Sequence, residues 1–177
     1  MTSHYTTLAE IADITHPDRR RGDAKFLDAL IDWLDEPPGR GKIGFKRQPE
    51  IGRMLWVLSA LHGSIAVSGL AHFLETHLIG GYFNEAQDWA RQLGAGQTAI
   101  YLATAARAGP SGQVPRTDKE RITLIKKLSL QAPGGDPFLE IDREYRDAVL
   151  NELPDRLRAF IRTHHSDVEA AFSAEPR

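Results

Sequence analysis

The amino-acid sequence predicts an all-α protein: a single domain of six to nine helices, packed irregularly rather than as an up-down bundle. Three observations carry that expectation. Apolar residues recur at helical spacing along most of the chain. Strand-like alternation is confined to Lys42-Ile43-Gly44-Phe45-Lys46, which is short. Between Arg53 and Arg107 the chain reads as four short apolar helices interrupted by glycine.

The elements follow in order. Phe26, Leu27, Leu30, Ile31 and Leu34 form an apolar stripe, with Asp28, Asp32 and Asp35 off it. This predicts a helix over Asp23–Asp35, docked through Phe26 and Trp33 and stopped at Pro37-Pro38-Gly39. A basic loop leads to Pro49, which suits a first helical turn. Glu50–Leu61 and Ile65–Thr76 are then two helices, with His62-Gly63-Ser64 as the break between them. Phe83, Ala86, Ala90 and Leu93 line the next, and Gly94 is placed as its C-terminal cap. Gln97–Ala108 is an alanine-rich helix with Ile100, Ala103 and Arg107 at helical spacing. Thr117 with Glu120 matches a capping box and opens a helix through Leu128. Asp136-Pro137 opens another, with Phe138, Ile141, Tyr145 and Val149 as its buried face. Pro154 starts the last, buried through Leu157, Phe160 and Ile161. The reading divides the chain into an N-terminal helical arm (1–48), the main helical domain (49–167) and a polar tail (168–177) that frays.

Composition excludes several chemistries. The 177 residues are 41% hydrophobic and 26% charged, enough for a core of their own. Twenty-two basic residues against twenty-four acidic ones leave a net charge of -2. No strong pull on nucleic acid or anionic membrane follows from that balance. With no cysteine, a thiol nucleophile, a disulfide scaffold and a thiolate metal site are excluded. The start, MTSHYTTLAEIADITHPDRRR, shows no signal-peptide pattern, and a cytoplasmic location is expected. Met54–Leu74 lacks Asp, Glu, Lys and Arg and is long enough to span a bilayer. Its histidines, serines and glycines favour a hinged pair of helices in water instead.

This arrangement resembles a bacterial all-helical family known for a DNA-mimic protein. Leu93-Gly94-Ala95 matches the family's Gly-Ala turn, and Ala99 to Ala106 its alanine-rich helix. Phe138-Leu139-Glu140-Ile141-Asp142 with Tyr145 matches its Asp-rich helix, and Leu157 to Arg162 its last helix. Where that family carries Asn-Gly-Gly-Phe, this chain has Val67-Ser68-Gly69-Leu70, keeping one glycine, and His72-Phe73 follow. The resemblance covers about Met54 to Ser166. It implies a non-enzymatic protein whose partner is a protein, and one that binds DNA in particular.

The candidate sites are weighed on chemistry. His62, His72 and His77 lie close in sequence with Glu75 among them. His72 and His77 are five apart, the wrong spacing for a metal pair on one helix face. A metal- or small-molecule-dependent enzyme using His72, His77 and Glu75 stands as the alternative reading; the leading one needs no metal or cofactor. Gly94-Ala95-Gly96-Gln97-Thr98 opens a helix and offers backbone N–H groups to an anion, but lacks the strand and lysine of a phosphate loop. Charge layout is more informative. Residues 109–135 hold five basic and two acidic side chains, and residues 136–155 hold seven acidic and two basic. Glu140, Glu144, Asp147, Glu152 and Asp155 are therefore the candidate partner-binding residues. Arg143 and Arg146 are spaced to pair with Glu140 and Asp142 and dilute the stripe. Near-neutral total charge argues against full DNA mimicry and direct nucleic-acid binding. A homo-oligomer is left open.

Overall fold

The computed structural model describes residues 7–38 and 42–174. Gly39 of the Pro-Pro-Gly stop and residues 175–177 of the tail lie outside the described residues. The fold is all-α, with no strand among the described residues. The described residues form nine α-helices: α1 (Leu8–Ala12), α2 (Arg19–Asp35), α3 (Glu50–Val67), α4 (Leu70–Glu75), α5 (Phe83–Gln92), α6 (Gly96–Ala106), α7 (Asp118–Ser129), α8 (Leu139–Glu144) and α9 (Glu152–Ser173). The alternating stretch around Ile43 forms no strand; its end winds into a 3-10 turn, Phe45–Arg47.

The chain divides into two compact units. One comprises residues 1–59 and 154–177, the other residues 60–153. In the first, α2 starts at Arg19, four residues before the predicted Asp23, because the Asp18 side chain accepts the Arg21 N–H and caps the turn. Phe26 and Trp33 are buried as expected, as are Leu8, Ile11, Leu30, Leu34, Leu55 and Leu58 of the same unit. The last helix continues past Asp167. It runs to Ser173, with Val168 and Phe172 buried. Phe172 meets Trp33 edge to face, ring centres 5.3 Å apart. It also fills the space over Gly52, where an added Cβ would lie 2.4 Å from its ring. Val168 and Phe172 are four apart, so they extend the stripe of Leu157 and Ile161.

Charge organises the same unit. Asp23 is buried and accepts from the Arg158 guanidinium at 2.5 Å. Arg158 in turn lies 4.3 Å over the Phe26 ring. Arg162 pairs with Asp13 at 3.1 Å, and Glu169 accepts the Leu8 N–H at 3.0 Å.

In the second unit the predicted break at His62-Gly63-Ser64 is absent. The helix passes through Gly63, which sits exposed and costs only propensity. It ends six residues later, at Ser68-Gly69. There φ is +89° and an added Cβ would lie 2.5 Å from the Asp142 carboxylate, so glycine is required twice over. Leu78 takes a left-handed φ of 74° where the chain turns from α4 toward α5. Gly94 caps α5 at φ 73°, as predicted. In α6 the buried residues are Thr98, Ala99, Tyr101, Leu102, Ala105 and Ala106, while Ile100 is 60% exposed; the packed face is rotated from the one expected. Thr117 caps α7 by accepting the Glu120 N–H.

Candidate functional site

The acidic candidates sit on α8 and the segment after it. Asp136 accepts the Phe138 N–H at 3.0 Å, which turns the chain into α8. Beyond Glu144 the backbone winds as a π-helix over Tyr145–Val149. Such wide turns are rare and recur at functional sites. Phe138, Asp142, Tyr145 and Val149 point inward. Glu140, Arg143, Glu144 and Asp147 point to solvent.

The inward side is polar at its centre. Both oxygens of Asp142 accept the Leu70 N–H, at 3.2 and 3.0 Å, and one accepts the Tyr101 hydroxyl at 2.7 Å. Burial pushes the Asp142 carboxyl above its ordinary range, opposed by the hydrogen bonds from Tyr101 and Leu70. The Tyr101 phenol is raised as well, first by burial and then by the Asp142 charge. Its ring lies 4.6 Å from that of Tyr145, whose hydroxyl contacts His62 Nδ1 at 3.2 Å. Burial raises the Tyr145 phenol too. The network fixes α8 from beneath, on neutral donors rather than a cation.

The expected pairing of Arg146 with Asp142 does not form. Asp142 faces the interior, and Arg146 donates to the Ile65 carbonyl at 3.4 Å. Among the described residues Glu140, Glu144, Asp147 and Arg143 take part in no ion pair. Glu152 is differently employed. Its carboxylate accepts the Gln97 N–H at 3.1 Å, the Thr98 N–H at 2.7 Å and the Thr98 hydroxyl at 2.9 Å. The helix N-terminus that the sequence offered to a phosphate is thus filled by the chain's own carboxylate. Asp155 belongs to the other unit, where Arg19 holds it at 2.6 Å.

The histidine alternative is not assembled. Among the described residues no three His, Asp or Glu side chains gather as a metal site. His72 and Glu75 are exposed on α4. His77 contacts the Asp118 carboxylate, whose pKa is lowered chiefly by that bond and further by Arg121. Arg121 itself is buried. It donates to the Leu74 carbonyl at 2.8 Å and the Arg116 carbonyl at 2.5 Å, and it stitches α4 to α7. Gly80 and Gly81 leave room for it: a Cβ at either would press on its guanidinium and on carbonyl oxygens. No described helix is long and apolar enough to cross a membrane.

Sequence reading missed the buried network. Nothing in the spacing marks Tyr101, and Asp142 reads as a surface partner of Arg146. The signal was present, since Asp142 lies four residues after Phe138 and three before Tyr145, on the apolar stripe itself.

Fold and site together define an all-helical protein whose second unit carries a braced helix with outward carboxylates. The chain belongs to the DMP19-like protein family, a family of DNA mimics, whose profile matches residues 46–164. No curated protein and no solved structure matches it.

Proposed function

We propose that this chain is a non-enzymatic protein-binding module of the bacterial cytoplasm. In this reading Glu140, Glu144 and Asp147 receive the basic surface of a DNA-binding protein. One observation carries it: these three carboxylates are exposed, form no ion pair among the described residues, and are mounted on a helix locked from below by Asp142 and Tyr145. A rigid charged face loses little entropy on binding. Membership of the DMP19-like family supports the class of partner. From Glu140 to Asp147 the helix rises about 10 Å. Three charges over that length are sparser than the phosphates of one DNA strand, about 3.4 Å apart along the axis. The face therefore offers a short stretch of phosphate-like charge rather than a replica of the duplex. Glu152 supports it by capping α6, and Asp155 lies in the other unit.

The test is capture from a bacterial lysate at about 0.15 M salt, where surface charge still acts over roughly 8 Å. The chain is compared with a Glu140→Gln/Glu144→Gln/Asp147→Asn variant. A DNA-binding protein should be retained by the first, released by added duplex DNA, and lost from the second. Identical captures by both would defeat the reading.

A further inference from the structure

The second unit also carries a groove of opposite character. It has a volume of about 840 Å³ and lies between one face of α7 and the extended segment before it. Val114, Pro115 and Leu124 supply apolar lining, and Arg116, Lys119 and Lys127 supply positive charge against the single carboxylate of Glu120. Lys119 and Lys127 are exposed and form no ion pair among the described residues. Arg116 is held by Glu85 at 2.6 Å.

The wall is fixed in advance. The Asn84 side chain donates to the Val114 carbonyl at 2.8 Å and accepts the Val114 N–H at 3.1 Å, as a neighbouring strand would. The next carbonyl but one, that of Arg116, accepts from buried Arg121. Pro115 between them narrows the backbone further. Prepared concavities with a few polar groups around an apolar floor are what ligand sites look like.

We propose that this groove docks an acidic, leucine-bearing segment of a partner polypeptide, its carboxylates meeting Lys119 and Lys127 and its apolar side chains resting on Val114, Pro115 and Leu124. Charge complementarity selects the occupant: a net positive rim repels basic segments, and the apolar floor adds nothing for a purely ionic one. The site is separate from the outward carboxylates of α8 and stands whether or not that face binds a DNA-binding protein.

The experiment uses the full chain and a fluorescein-labelled decapeptide of alternating Glu and Leu, followed by fluorescence polarisation. A Lys-Leu decapeptide is the control. Saturable binding of the Glu-Leu peptide is expected, weakening as salt rises from about 50 to 300 mM. A Lys119→Glu/Lys127→Glu variant should bind about tenfold less tightly, the product of two surface charge reversals. Both lysines are exposed, so helicity by circular dichroism should be unchanged, and a Glu144→Gln variant should bind the peptide like the parent. Equal binding of the Lys-Leu peptide, indifference to the lysine reversals, or no saturation at low salt would each overturn the proposal.

Discussion

Asp23 and Asp142 are both buried carboxylates, one in each unit, and they are accommodated in opposite ways. Asp23 is met by a guanidinium, Arg158, that is itself packed on Phe26. Asp142 forms no ion pair among the described residues; a phenol and a backbone N–H hold it. The difference teaches that a buried charge is stabilising or merely tolerated according to what is removed with it. An ion pair leaves a bare charge when one side is cut, whereas a hydrogen-bonded carboxylate leaves neutral donors.

That contrast can be broken in order of size. Arg158→Ala should cost about 3–5 kcal/mol of unfolding free energy in urea, because Asp23 stays buried and charged. Arg19, 3.7 Å away and exposed, relieves only part of this. Next comes Phe172→Ala, which opens a hole against Trp33 and Gly52 and should cost about 3 kcal/mol. Trp33 and Trp56 report on that unit by fluorescence, and Trp89 on the other. A Phe172→Ala protein with an unchanged urea midpoint would show that the end of α9 contributes nothing. Asp142→Ala should cost about 2 kcal/mol, through the stranded Leu70 N–H and Tyr101 hydroxyl. If it costs more than Arg158→Ala, the contrast is wrong.

The smallest effect is in pH. The Asp142 carboxyl is raised in the folded state, mainly by burial. The unfolded chain therefore releases this proton at lower pH than the folded one. Its contribution is most favourable below the ordinary value of 3.8 and declines as pH rises through the raised one. Asp142→Asn removes this dependence while keeping an acceptor. The parent's stability relative to that variant should fall across a window that opens near 3.8, read by urea titrations at successive pH values. A difference independent of pH would show that Asp142 does not change its proton on folding.

What was legible in the chain was local. Gly94 needs a positive φ, Thr117 and Asp136 supply turn acceptors, and each announced its element within four residues. The three exposed carboxylates were equally readable from periodicity. What was illegible depended on distant neighbours. Gly63 looks like a break, but whether a helix ends there depends on what packs around it, and the true stop at Gly69 is set by Asp142, 73 positions on. Val168 and Phe172 stand at helical spacing near the end of the chain, but the value of Phe172 exists only because Trp33 and Gly52 await it. Glu152 reads as surface charge in the sequence, yet the Gln97 and Thr98 N–H groups, 54 or more positions away, take it as their acceptor.

The first unit is sewn from two stretches far apart in the chain, residues 7–59 and 154–174, with the second unit made entirely between them. During synthesis the intervening helices emerge whole and can settle at once. Trp33, Phe26 and Asp23 must wait with their oily and charged groups uncovered until Arg158 and Phe172 have left the ribosome. A chain halted after residue 153 has emerged and before Phe172 has would thus present chaperones with a finished middle and an unfinished beginning.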